Sequence, residues 1–346
     1  MFGHNGMHFI SYICSYCEPI IAGWKLGSMS NNVAEMYQKY DSYGDPNPVC
    51  GIGSTANAGK KCQIEFVVPR DMEPPVLIHY EVDNFYQNHR RYITSRDDTQ
   101  LLGSIEQTEY SASFCEPLVK LGNVTLNPCG LQANTLFNDV ITLQSGNDTD
   151  GFPLVMVEEG IAWQGDLEFK YRQPDGFRYE TCTSCDDCSC DGPDWSCEDR
   201  GPYVDPDGIC HRYFYPNDNT TQYLHETYPM VVSPIEGVLN HHFVVWMRAA
   251  ALPKFRKLYG WIDQHVAEGT VLKFELEANW EVQSFRGGKA LVVSDSHTFG
   301  GKNEELANNF IIVGGMCMFF AIIFGLKHTF RPRKLADKEY LLYKED

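Results

Sequence analysis

Seventeen consecutive residues, Phe310 to Leu326 (FIIVGGMCMFFAIIFGL), carry no charge, and no other stretch limits the fold so severely. At about 1.5 Å of rise per residue, a helix of this length approaches the ~30 Å of a bilayer core. A helix lying on a soluble core would show a polar stripe at the 3.6-residue period, and this run has none. Lys327, His328, Arg331, Arg333, Lys334 and Lys338 follow it, and a basic flank marks the cytoplasmic side of a span. The long region ahead of the span is therefore expected on the opposite side, in a secretory lumen or outside the cell.

Cysteines and glycosylation signals agree with that side. Ten of the thirteen cysteines fall between Cys50 and Cys210, and only Cys14, Cys17 and Cys317 lie in the apolar end segments. Such a density suits an oxidising compartment. Asn123-Val-Thr, Asn147-Asp-Thr and Asn219-Thr-Thr each match the N-glycosylation rule within the same region. With 346 residues the chain can bury a sizeable core. Its formal charge of -18 argues against binding nucleic acid, which needs a basic excess to displace counterions.

The amino end is ambiguous. Met7 to Trp24 is apolar, but Glu18 and Pro19 interrupt it, and an acidic residue at the centre of a span costs roughly 2.5–3.5 kcal/mol. No Lys or Arg precedes the run, as it would in a signal peptide. An intact span, a cleaved signal and a divergent amino end all stay open. The expected division is an uncertain membrane-associated segment at 1–32, an ectodomain at 33–307, a membrane helix at 308–327 and a cytoplasmic tail at 328–346.

Between the ends the period is two. Leu272, Phe274, Leu276, Ala278, Trp280 and Val282 alternate with Lys273, Glu275, Glu277, Asn279 and Glu281, the pattern of a half-buried strand. Val76, Ile78, Tyr80 and Val82 repeat it, and His241–Met247 and Ala290–Ser294 read as further strands. Short helices are expected in NTLFNDVITL after Cys129 and in LPKFRKLYGWI after Ala251. The fold class is mainly β: an antiparallel, sandwich-like ectodomain with short helical and loop insertions, plus the membrane helix.

Residues 181–228 differ in composition, being rich in Cys, Asp, Gly and Pro and too poor in aliphatics to build an apolar core. Cys182, Cys185, Cys188, Cys190, Cys197 and Cys210 can form three disulfides, and six thiols admit 15 pairings. Zinc is the competing reading, since Cys185 and Cys188 have C-x2-C spacing and His211 follows Cys210. Irregular spacing and an oxidising lumen favour disulfides. The GNDTDG run lacks calcium ligands at the first and twelfth loop positions, Gly146 and Val157. The RGGK and FGGKN runs lack the earlier glycine and the Ser or Thr of a phosphate loop, and Ser54 lacks nucleophile-elbow spacing. No catalytic residue, cofactor or metal is expected.

The densest polar motif is NFYQNHRRYITSRDDTQLLG, Asn84 to Gly103. Its basic and aromatic character could suit nucleic acid and its adjacent aspartates a metal, yet the acidic chain and oxidised surroundings favour architecture. Together with CGLQANTLFND (Cys129–Asp139), HHFVVWMRAAALPKFRKLYG (His241–Gly260) and GGKN (Gly300–Asn303) ahead of a span, it resembles the non-catalytic β-subunits of lipid flippases. These are the partners of type-IV P-type ATPases, in the ligand-effect modulator and cell-cycle control protein family. The resemblance runs from about Val33 to Arg333.

The resemblance implies two spans, cytoplasmic ends and a glycosylated, disulfide-bonded ectodomain. It implies a heterodimer with the ATPase, assembled in the endoplasmic reticulum and kept while the ATPase moves phospholipid in the Golgi, endosomal or plasma membrane. It also implies bridges Cys50–Cys62 and Cys115–Cys129. An independent lumenal or cell-surface binding glycoprotein is the alternative. Within the motif, Arg90, Arg91 and Arg96 beside Asp97 and Asp98 are expected to form a paired network under a loop, covered by Tyr86 and Tyr92. Trp246 and Arg248 join these as structural or partner-contact positions. Two departures from the family pattern stand out, the amino end and the six-cysteine insertion.

Overall fold

The structure, a computed structural model, describes residues 18–53, 58–146, 151–189, 201–296 and 301–330. Cys14, Cys17, Asn147, Cys190 and Cys197 lie outside the described residues. In chain order the elements are α1 (18–31), β1 (Glu35–Ser42), β2 (Lys60–Val67), β3 (Val76–Asp83), α2 (Arg90–Ile93), α3 (Asp98–Leu101), α4 (Glu109–Phe114), β4 (Lys120–Leu121) and β5 (Val124–Asn127). There follow β6 (Val140–Ser145), α5 (Gln164–Phe169), β7 (Arg178–Thr181), β8 (Tyr203–Val204), β9 (Cys210–Phe214), β10 (Thr221–Tyr223) and α6 (Leu224–Thr227). The chain closes with α7 (His241–Met247), β11 (Phe255–Ile262), β12 (Val271–Ala278), β13 (Gly288–Ser294) and α8 (Glu304–Phe330). They fall into two compact units, Glu35–Ser294 and the two chain ends.

The larger unit is mostly sheet. A four-stranded sheet runs β1-β13-β3-β11 and a three-stranded one β2-β12-β6, both antiparallel throughout. In the second, Leu272, Phe274 and Leu276 of β12 face Phe66, Ile64 and Cys62 of β2 in register. These three β12 residues are fully buried, and each such side chain contributes about 1.5–3 kcal/mol. β3 turns Val76, Ile78, Tyr80 and Val82 into the core, and on its other, half-buried face Glu81 is met by Lys254 at 3.2 Å and Arg256 at 2.8 Å. Two small sheets complete the unit, β7-β9-β8 and β10-β5-β4, and β5 and β10 run parallel, a departure from the wholly antiparallel expectation.

Three local expectations are corrected. His241–Met247 is helix α7, started by the Asn240 side chain, which accepts from the Phe243 amide at 3.0 Å. Its apolar run hid the period because Val245, only half-buried, is apolar too, while the buried Phe243, Val244, Trp246 and Met247 keep the helical spacing of a single face. The LPKFRKLYGWI run is strand β11, paired with β3; Phe255, Lys257 and Tyr259 point inward at period two, which the inward lysine disguised. After Cys129 there is only a 3-10 turn at Ala133–Thr135 before β6.

The cysteine-rich segment does build a core, from tyrosines instead of aliphatics. Tyr213, Tyr215 and Tyr223 cluster with Phe177, Tyr203 and Ile235 packed against them. Tyr215 donates to the Pro234 carbonyl at 2.8 Å, which satisfies a hydroxyl that burial would otherwise make costly. Among the described residues four disulfides close loops: Cys50–Cys62, Cys115–Cys129, Cys182–Cys188 and Cys185–Cys210. Among the described residues no group of His, Cys, Asp and Glu is arranged to hold a metal.

The unit made by the chain ends is helical. α8 has 27 residues and is long and apolar enough to cross a membrane. It packs on α1 through small residues. A Cβ on Gly23 would lie 2.8 Å from Ile311 and 2.9 Å from the Ala307 carbonyl, and one on Gly314 would lie 2.6 Å from Ile20. Gly23 and Gly27 are four apart, the spacing that lets two membrane helices approach closely. The Asn303 side chain starts α8 by accepting from the Leu306 amide, while the Asn303 backbone N–H donates to the Ser30 hydroxyl at 2.8 Å.

Candidate functional site

The Asn84–Gly103 motif begins where β3 ends and turns back across two loops. Asn84 adopts a left-handed backbone (φ 60°), which Asn tolerates better than most residues, and its amide donates to Phe285 at 2.8 Å. Phe85 then inserts its ring among Tyr92, Trp246, Trp280 and Phe285, with centroids 5.3–5.7 Å away. Gln87 is buried, accepting from the Ala250 amide at 2.9 Å and donating to the Trp246 carbonyl. Asn88 donates to Ala251 at 2.8 Å. This half of the motif holds the segment that follows α7.

The second half holds the disulfide loop. Ser95 accepts from the Leu131 amide at 2.9 Å and lies within donor range of the Cys115 and Glu116 carbonyls. Gly130 (φ 98°) passes so close that a Cβ there would sit 2.3 Å from the Ser95 carbonyl oxygen. Asp97 starts α3 by accepting from the Thr99 and Gln100 amides. Gln100 bonds the loop on both sides, accepting from the Cys129 amide at 2.8 Å and donating to the Leu126 carbonyl at 3.3 Å. Trp246 joins the halves, its indole donating to Gln132 at 3.0 Å.

The expected three-arginine network does not form. Arg96 pairs with Asp98 at 2.8 Å, but both are surface groups, 37% and 68% exposed, so the pair contributes at most about 1 kcal/mol. Asp97 is spent on its helix start, and Tyr92 bonds Thr135 at 2.9 Å instead of covering a guanidinium. Arg90 and Arg91 are exposed, and neither has an ion-pair partner among the described residues. Tyr86 is exposed beside them. The sequence showed charges of both signs close together, but a helix start can claim a carboxylate before an arginine does.

Arg248 pairs elsewhere, 2.6 Å from Asp166, which Lys170 also reaches at 2.6 Å. Burial pushes the Asp166 carboxyl up, but the hydrogen bonds from Lys170 and Arg248 outweigh it and hold the group below the usual carboxylate range. Arg248 also stacks over Trp163 at 5.0 Å. Below it, Lys257 donates to the carbonyls of Val245, Trp246 and Arg248 at 2.9, 2.6 and 2.6 Å, satisfying the orphan acceptors at the end of α7. Burial, aided by the Arg248 charge, pushes the Lys257 ammonium down to about 7; the three carbonyls oppose that shift.

Sequence reasoning missed the most deeply buried charges. Lys289 in β13 is fully buried, 2.7 Å from Asp139 and 3.7 Å from Asp41, and it donates to the Trp280 carbonyl. Asp139 also accepts from the Tyr40 hydroxyl at 2.8 Å and from the Asn279 and Trp280 amides at 2.7 and 2.6 Å. Burial raises the Asp41 carboxyl even though Lys289 lowers it. The available signal was a lone lysine inside the apolar run GKALVVS.

Asn123 and Asn219 occupy exposed turns. Their sequons are in register, because Thr125 of β5 and Thr221 of β10 are direct partners in the parallel pair.

These features define a disulfide-bonded β-protein with a helix fit to span a membrane, whose densest polar motif is spent on holding two loops. The family is correspondingly specific: the chain matches over residues 26–334 and belongs to the LEM3 (ligand-effect modulator 3) family / CDC50 family. It is 31% identical to ALA-interacting subunit 3 of Arabidopsis thaliana, over 94% of this chain and 86% of that protein. It is 32% identical to cell cycle control protein 50B of Homo sapiens, over 90% and 84%. It is 33% identical to the phospholipid-transporting ATPase accessory subunit CDC50 of Chaetomium thermophilum, over 82% and 64%.

Proposed function

We propose that this chain is the accessory subunit of a phospholipid-transporting P-type ATPase, non-catalytic itself and forming a heterodimer with the catalytic subunit. The observation that carries the reading is family membership over residues 26–334, with relatives named as accessory subunits of phospholipid-transporting ATPases. The motif geometry supports it. Its buried polar groups hold loops, and its exposed ones, Arg90, Arg91 and Tyr86, are free to meet a partner.

In this reading residues 33–307 form a lumenal or extracellular ectodomain of sandwich-like build, 308–327 a membrane helix and 328–346 a cytoplasmic tail. Residues 1–32 are a membrane-associated segment, and the glycine contacts of α1 with α8 support a pairing of the two chain ends. The complex assembles in the endoplasmic reticulum and works there or in Golgi, endosomal or plasma membranes. The test is affinity purification of the full chain in mild detergent, with partner identification and lipid-stimulated ATP turnover. A phospholipid-transporting ATPase should co-purify in about equal amount. A chain reaching the cell surface with no ATPase bound would instead indicate an independent glycoprotein.

A further inference from the structure

A cleft of about 660 Å³ opens between residues 201–204, which include β8, and the 229–234 segment, and Asn219 lies on its wall. Its volume is within the range of small-ligand sites. Pro202, Tyr203 and Pro234 supply flat apolar surface, while Asp218, Gln222, His225 and Glu226 bring polar side chains, and no lysine or arginine is among its described lining residues. Rings and prolines for C–H faces beside carboxylates and amides for hydroxyls are what a saccharide needs.

The occupant is indicated by the sequon itself. Asn219 and Asn123 each stand two residues before a partnered threonine on adjacent parallel strands, and such strands are about 4.8 Å apart. Two oligosaccharides rising from neighbouring strand ends crowd each other unless one turns aside. Asn123 does not line the cleft and Asn219 does. We propose that Asn219 is N-glycosylated and that the first sugars of its oligosaccharide lie in this cleft, clasping the cysteine-rich excursion against the 229–234 segment.

The inference rests on the lumenal placement proposed above. In the modification, the Asn219 amide nitrogen bonds C1 of the first N-acetylglucosamine of a lipid-diphosphate-linked oligosaccharide. The C1–O bond to the diphosphate breaks, the lipid diphosphate leaves, and the amide loses one proton.

The test uses the full chain expressed in a eukaryotic secretory pathway and purified in detergent. Glycopeptide mass analysis should find both Asn123 and Asn219 modified. Under native conditions an endoglycosidase should release the Asn219 glycan about tenfold more slowly than the Asn123 glycan, because release needs local opening, and at the same rate after denaturation. Tyr203→Ala should abolish the difference without changing occupancy. Thr221→Ala, which removes the sequon and keeps Asn219, should speed hydrogen exchange at 201–204. Asn123 modified with Asn219 bare overturns this inference and leaves the lumenal placement standing; both bare overturns the two together. Equal native release rates overturn the seating.

Discussion

Replacing Lys289 by methionine isolates the buried charge network, since methionine matches the length of the lysine stem and removes only the ammonium. Asp139 would keep Tyr40 and two backbone amides. Asp41 would be worse placed, with one carboxylate oxygen already unbonded and the Ile52 amide at 3.5 Å. Breaking a buried pair by removing one partner costs about 3–5 kcal/mol. For a unit of this size that corresponds to a fall in Tm of about 6–20 °C, at roughly 2–4 °C per kcal/mol.

The assay is thermal unfolding of the purified full chain in detergent at about pH 7.5 and again at about pH 5. Burial raises the folded-state Asp41 carboxyl above its unfolded value, so between the two values the folded state binds more protons, and stability falls as pH rises through the folded one. Removing Lys289 takes away what lowers Asp41 and widens the window, so the variant's deficit should shrink on acidification. Adding Asp139→Asn should recover part of the loss, because the sites are in contact and will not add. A Tm within about 2 °C of the parent at neutral pH, or a deficit that grows on acidification, would refute the reasoning.

His79 is lowered to about 4, first by burial and then by Arg256; the unfolded state therefore binds more protons between about pH 4 and 6.5, stability is lost as pH falls through that window, and His79→Leu should flatten the dependence by up to about 3 kcal/mol in unfolding titrations. Gly130→Ala puts a Cβ against the Ser95 carbonyl at a backbone angle of φ 98°, so it should cost about 2 kcal/mol or more and lower the yield of exported chain; normal yield and Tm would contradict the close approach. Arg90→Ala with Arg91→Ala should leave Tm within about 1 °C, as surface changes do, yet reduce the ATPase recovered per chain; unchanged recovery would remove these residues from the partner surface.

The strands with clean alternation, β3 and β12, were legible because burial on at least one face writes itself into the period. α7 and β11 were not. In α7 the half-buried Val245 is as apolar as the buried face beside it, so the short run shows no helical period, and in β11 an inward lysine serves the end of another helix. Both depend on a tertiary contact that no local period records, Lys257 with the α7 carbonyls across the intervening loop. The Lys289 network hid for the same reason: its carboxylates come from positions 41 and 139, on segments that only the fold brings together. The family motifs were visible as runs of rare residue types, but the assignment of their charges was not. Asp97 could start a helix or pair with an arginine, and the backbone geometry of α3 decided for the helix.

That decision separates two jobs within one motif. Gln87, Ser95, Asp97 and Gln100 all point inward and bond backbone groups of the two loops or of their own helix. Replacing any of them leaves buried donors or acceptors unpaired, at about 1–3 kcal/mol each, and acts on folding before it can act on a partner. Arg90, Arg91 and Tyr86 stand on the other side of the same turns, exposed. In a chain with a net charge of -18, two adjacent cations without ion-pair partners among the described residues are held at no evident benefit to the fold. Their orientation is nonetheless fixed, because Tyr92, one residue along, is anchored to Thr135 and stacked edge-on to Phe85. In the proposed heterodimer these exposed residues are a contact surface on a rigid, buried support, so loss of the support should mimic loss of the interface while loss of the arginines should not mimic loss of the fold.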